Sequence, residues 1–128
     1  MAKIRKMSSL IKEADKWFSI FIRKRDNGVC YTCGNKRDWK EQNCGHYVLR
    51  QYYDTRWNEQ NCHCQCVYCN KYLNGNMDEY TLRLEKQYGK GIIEKLNKKK
   101  WLKKPLIYSK MLKLIKKYKN ETNRRTAK

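Results

Sequence analysis

The chain is short of histidine, with two, and of acid, with twelve carboxylates in 128 residues. It also lacks long apolar runs, internal repeats and any linker that would separate two halves. Each shortage excludes something. No stretch approaches the ~18 apolar residues needed to span a bilayer, so a membrane-embedded protein is excluded. The start, MAKIRKMSSL, has no apolar core of a secretory signal, and the expected compartment is the cytoplasm. Without export, disulfides are a poor use for seven cysteines, an odd number in any case; reduced thiolates on metal are the better reading. A length of 128 residues without a linker reads as a single domain over 1–128, with a modest core. Thirty-one Lys and Arg against twelve Asp and Glu leave a formal charge of +19. Such an excess repels itself unless a polyanion is near, which points to nucleic acid before a membrane surface.

The fold expected is α+β and mainly helical. Leu10, Ala14, Trp17 and Phe21, with Ile11, Phe18 and Ile22 beside them, form an amphipathic stripe that predicts a helix over 8–26, capped by Ser8 or Ser9 and ended by Asp26-Asn27-Gly28. Residues 29–76 form the core of the reading, with short strands at 44–49 and 57–65 and a short helix from Cys66 to Leu73. Asn76 with Glu79 has the capping-box pattern, opening basic helices over 77–120. Ile107, Met111, Leu114 and Tyr118 mark the last apolar stripe, and 121–128 reads as a disordered tail.

The scarce histidines are not scattered. CGHYVLRQYYDTRWNEQNCHCQCVYCN, residues 44–70, holds both of them and five of the seven cysteines. Cys30-x-x-Cys33, on a turn that Gly34 permits, is followed after thirty-two residues by Cys66-x-x-Cys69. Two such pairs supply four thiolates, enough for a closed tetrahedral Zn²⁺ site of the structural kind. Cys62 or Cys64 is an alternative to Cys66, since alternate residues of a strand share a face. A zinc clip at 30–69 would gather His46, Asn61, His63 and Asn70 at the base of one loop. A histidine base, donors for a divalent cation and an asparagine are what phosphodiester hydrolysis needs.

His46, then Asn61, then Cys66-Val67-Tyr68-Cys69-Asn70 is the order of the His-Asn-His, or ββα-metal, nuclease motif. More narrowly, FIRKRDNGVCYTCG, GHY, RWNEQNCHCQCVYCN and GNMDEY together resemble the NinG/Rap family of phage recombination nucleases, over roughly Trp17 to Gly89. The resemblance implies a zinc-stapled ββα-metal finger with flanking helices, in a protein of the host cytoplasm that cuts branched DNA. It implies that His46 activates water, that Asn61 orients His46, and that Asn70 holds Mg²⁺ or Mn²⁺ with His63 as second ligand. One departure stands out: Gln42-Asn43-Cys44-Gly45-His46 has no carboxylate where that motif carries one, and His63, Asp54 and Glu59, in that order, are the substitutes.

Arg50 and Arg56, among Tyr47, Tyr52, Tyr53 and Trp57, are the expected phosphate contacts. A junction-cutting enzyme needs two opposed cuts, so a homodimer is expected, with the first or last amphipathic helix available to form it. The competing readings are a zinc finger that binds DNA without cutting it, and a nicking or homing-type nuclease of the same chemistry.

Overall fold

The structure, a computed structural model, describes residues 4–126; residues 127–128 of the expected tail lie outside it. Its elements are α1 (Met7–Arg25), β1 (Asn43–His46), α2 (Tyr53–Arg56), β2 (Cys62–Gln65), α3 (Met77–Tyr88), α4 (Ile92–Lys100) and α5 (Tyr108–Thr126). A 3-10 turn at Trp39–Glu41 precedes β1, and a π-helical turn at Tyr68–Tyr72 follows β2. The fold is mixed and mainly helical, as expected.

β1 and β2 pair antiparallel, His46 opposite Cys62 and Gly45 opposite His63. Both strands are shorter than the pattern predicts, for local reasons. After the Tyr47 amide, which still donates to the Asn61 carbonyl, the ladder passes to a side chain, with the Val48 amide donating to Asn61 Oδ1 at 2.8 Å. Before β2, Asn58 Oδ1 accepts the amides of Gln60 and Asn61 and turns the chain.

The small sheet is covered on both faces. Cys44 and Cys62 meet Phe18, Phe21 and Ile22 of α1. On the other side, Tyr80 and Leu84 of α3 and Ile92 and Leu96 of α4 close over Val48, Tyr47 and Tyr52. Burying side chains of this size stabilises by about 1.5–3 kcal/mol each. Gly45 has no room for a Cβ, which would collide with the Gln65 side chain. The space it leaves lets Gln65 Nε2 reach Thr32 Oγ1 and the Gly75 carbonyl, tying the turn at 30–34 to the start of α3.

α1 and α5 lie side by side in the same sense. The Arg5 amide donates to Tyr108 Oη at 3.1 Å at one end, and Phe18 and Phe21 pack on the Tyr118 ring at the other. Leu10, Ala14, Met111 and Ile115 fill the space between them. The two stripes expected to be free for a dimer are therefore spent on each other.

Three local expectations are corrected. α1 begins at Met7, with Lys6 as cap residue and no capping side chain, so neither Ser8 nor Ser9 caps it. Asn76 takes a left-handed conformation (φ 51°) without a capping bond; its amide turns to Cys69 Sγ, and Glu79 pairs with Arg83. Residues 121–126 are helical and not a disordered tail, because Thr122, buried at 2% exposure, continues the face of Met111, Ile115 and Tyr118.

Candidate functional site

Two centres are built on the sheet. The first is a cluster of sulfurs. Cys30 and Cys33 sit on the turn after α1, where the Gly34 amide donates to the Cys30 carbonyl with Gly34 at φ 81°. Cys66 follows β2, and Cys69 lies in the π-helical turn. Their four Sγ atoms lie within 4.8 Å of one another, with Cys33 and Cys66 Sγ 3.7 Å apart. A tetrahedron of sulfurs with Zn–S bonds of about 2.3 Å has edges of about 3.8 Å, so the cluster fits zinc. Donors already face the sulfurs: the Cys69 amide to Cys66, Asn76 Nδ2 to Cys69, and the Thr32 hydroxyl beside Cys30. Burial works against the Cys30 thiolate, yet the Thr32 hydroxyl and backbone amides outweigh it and hold its pKa down to about 6. Burial raises Cys33 and Cys69 instead. The alternatives Cys62 and Cys64 lie outside this cluster among the described residues.

The second centre is a cleft of about 340 Å³ between α1, β1 and the π-helical turn. His46 and Asn70, twenty-four positions apart in the chain, line it together, with Asp15, Arg23, Asn43, Arg50 and Lys71. His46 Nε2 lies 2.9 Å from the Arg56 carbonyl oxygen. A carbonyl only accepts, so Nε2 carries the proton and Nδ1 keeps the lone pair. Burial, the largest influence, lowers the His46 pKa; the nearby Asp15 carboxylate opposes it. The ring is neutral at pH 7 and therefore able to accept a proton.

Asn61, wholly buried, does not need to touch that ring. Its Nδ2 donates to the Val48 and Thr55 carbonyls, its Oδ1 accepts from the Val48 amide, and its own carbonyl accepts from the Tyr47 amide. It thereby fixes the residues just after His46 and the one just before Arg56, whose carbonyl orients the imidazole.

The structure parts company with the expected site at His63 and Arg56. His63 faces away from His46, because Gly45 and not His46 is its cross-strand partner. It is 1% exposed and stacked on Tyr31 at 3.8 Å, with Tyr80 Oη on Nδ1 and Tyr88 Oη on Nε2. It does not line the cleft, so it is no partner for Asn70. Arg56 is bound bidentately to Asp15 (3.0 and 2.5 Å) and donates to the Arg50 carbonyl. Its charge is committed to joining the loop to α1, and of the two arginines only Arg50 is exposed in the cleft. Asp54 and Glu59 are also elsewhere, accepting from the Lys104 amide and the Tyr118 hydroxyl. Asp15 is the carboxylate in the cleft. It sits at a polar position of a helix whose apolar stripe marks it as core, and no local spacing links it to a loop 41 residues away.

His63 carries a pH prediction. Burial, then the charge of Arg25, holds its pKa to about 3, against 6.5 for an ordinary histidine. Below pH 6.5 the unfolded chain takes up a proton that the native chain refuses. The contribution is fully present above pH 6.5 and is lost as pH falls towards 3, at up to roughly 1.4 kcal/mol per pH unit. Denaturant titrations between pH 7 and 4 should show that slope in the wild type and a shallower one in His63→Gln.

Comparison with known proteins gives a consistent picture. The family model described as bacteriophage lambda NinG protein matches residues 1–127. "Protein ninG" of Escherichia phage lambda is 33% identical over 110 residues, covering 77% of this chain and 53% of that protein. Its namesake in Escherichia phage 933W is 32% identical over 110 residues (77% and 54%). The one in Salmonella phage P22 is 33% identical over 101 residues (73% and 49%). The chain thus spans about half the length of these relatives. No solved structure matches it significantly.

Proposed function

The chain belongs to the NinG family of bacteriophage proteins, and on that premise we propose that it is a metal-dependent endodeoxyribonuclease cutting branched recombination intermediates. The observation that carries the reading is the His46 imidazole, locked by the Arg56 carbonyl with its Nδ1 lone pair free, in a cleft shared with Asn70. His46 acts as general base. Nδ1 takes a proton from water, the water oxygen bonds to phosphorus, and the bond to the leaving sugar oxygen breaks. The Asp15 carboxylate favours the imidazolium so formed. Asn61 is a positioning residue that holds the Arg56 carbonyl in place. Arg23, Arg50 and Lys71 give the cleft the positive potential a phosphodiester needs.

Asn70 and Asn43 bring amide oxygens of the type Mg²⁺ and Mn²⁺ take into the cleft, and Asp15, whose oxygens already accept from Arg56 and Trp57, would have to share its carboxylate to join them. That cation would neutralise charge on the phosphate and the departing oxygen. The cysteine cluster would hold zinc as a staple. Paired cuts at a junction call for two centres, hence a dimer formed by a surface other than the α1–α5 seam. Among the described residues no helix is long and apolar enough to cross a membrane.

The test is cleavage at low salt with Mg²⁺ or Mn²⁺, comparing a synthetic four-way junction with linear duplex of the same sequence. Metal-dependent cutting of the junction, at least about tenfold preferred, is expected, and affinity should fall steeply with salt. Tight binding without cutting under either metal would instead assign a zinc-stapled DNA-binding protein.

A further inference from the structure

A second group of metal-type donors lies beside the general base. Cys44 Sγ, a ring nitrogen of His46 and Cys62 Sγ all lie within 4.8 Å of one another. The strand register puts them there. Cys44 and His46 are two residues apart on β1 and share a face, and Cys62 is the cross-strand partner of His46. Cys62 is fully buried, whereas Cys44 and His46 line the open cleft, so an ion has a way in.

We propose that Cys44, His46 and Cys62 form a second metal site, for thiophilic divalent cations of the Zn²⁺ class, whose occupation silences the nuclease centre. Two thiolates and an imidazole suit Zn²⁺ and select against Mg²⁺, which prefers oxygen. Three protein donors leave the fourth position to solvent on the cleft side, unlike the closed four-cysteine cluster. The exchange balances. The cation replaces one proton on each thiol, two protons pass to solvent, and the two thiolates neutralise its charge. Burial, the largest influence, and the neighbouring Cys44 push the Cys62 thiol well up, with Arg25 opposing, so it is the arriving cation that draws the proton off this sulfur.

Silencing, unlike binding, rests on the reading of His46 as general base, and it does not depend on which nitrogen binds. An ion on Nδ1 takes the lone pair directly. An ion on Nε2 displaces the Arg56 carbonyl and obliges the neutral ring to carry its proton on Nδ1. Either way no base is left. The four-cysteine cluster, with four sulfurs and preplaced donors, fills first. The trio therefore responds only to zinc in excess of one equivalent.

The experiment uses the full chain loaded with one equivalent of Zn²⁺ and titrated with Co²⁺, whose bonds to thiolate give a near-ultraviolet charge-transfer band. The wild type should bind a second equivalent with that band. Cys44→Ser and Cys62→Ala should keep the first zinc and bind the second ion more weakly by at least roughly tenfold, the loss that even an outer-shell partner causes. In parallel, Zn²⁺ added to a Mg²⁺-driven cleavage assay should inhibit the wild type and spare Cys44→Ser. A single equivalent in the wild type, or an undiminished thiolate band in both variants, would overturn the site. A second equivalent that binds without inhibiting would overturn the silencing. A chain that cuts no substrate would remove the nuclease reading, and the cobalt titration would still decide the site.

Discussion

On the proposed nuclease reading, substituting His46 by Ala is expected to lower junction cleavage by about three orders of magnitude, within the 10²–10⁴ range usual for loss of a general base. Fold, zinc content and DNA affinity should remain. The expectation follows from what the side chain touches. Its one hydrogen bond, to the Arg56 carbonyl, is worth about 1 kcal/mol net. The loop it meets is held independently by Asn61 and by the Asp15–Arg56 pair. Losing the imidazole removes the proton acceptor and leaves Arg23, Arg50 and Lys71 to bind the phosphate. Cleavage, melting temperature, zinc content and junction binding should be measured on the same preparation. A variant that cuts normally would remove His46 from the chemistry; one that unfolds or sheds zinc would make it structural.

Cys30→Ser has a larger expected effect, on the whole domain. The apparent binding energy of a structural zinc is about 10–16 kcal/mol in small zinc domains, and because the site exists only in the folded chain it is folding energy. A domain of this size is stable by only about 5–15 kcal/mol in total. Cys30 also lies where the damage spreads furthest, on the turn joining α1 to the sheet, with its carbonyl holding Gly34 and its sulfur against Thr32. The variant should bind zinc poorly, lose its cooperative melting transition and accumulate as insoluble protein. Chelator treatment of the wild type should give the same state. A soluble Cys30→Ser protein that melts as the wild type does would contradict the staple.

The four-cysteine cluster was legible in the sequence because two Cys-x-x-Cys turns constrain each other, and the structure brings all four sulfurs together. The nearness of His46 and Asn70, which share a cleft, follows from their order in the sequence, but the way Asn61 packs does not. Its role as a backbone staple depends on where the chain turns at Asn58 and Thr55. His63 shows the limit of periodicity. Alternation gives the parity of residues within one strand, whereas its face relative to His46 is set by the pairing of β1 with β2, and a shift of one residue reverses it. Arg56 is a second such case. Its cationic, aromatic neighbourhood suits a phosphate, and only the folded chain reveals Asp15 across 41 positions. Periodicity does not reveal the helical end of α5, because residues 119–126 are all polar and one threonine at the right spacing suffices to continue the buried face.

The seam between α1 and α5 joins residues a hundred positions apart, such as Arg5 and Tyr108. On a ribosome, the apolar flank of α1 would emerge long before the helix that shields it. Contacts so distant along the chain carry a large loop-closure cost and are generally slow to form. The cysteine turns, complete once residue 69 has left the exit tunnel, can seize metal earlier and shorten the remaining search. Asp15 rides on α1, so the cleft takes its final shape when α5 docks behind it. A chain made in this order would gather its cysteine hub first and complete the cleft only when the seam closes.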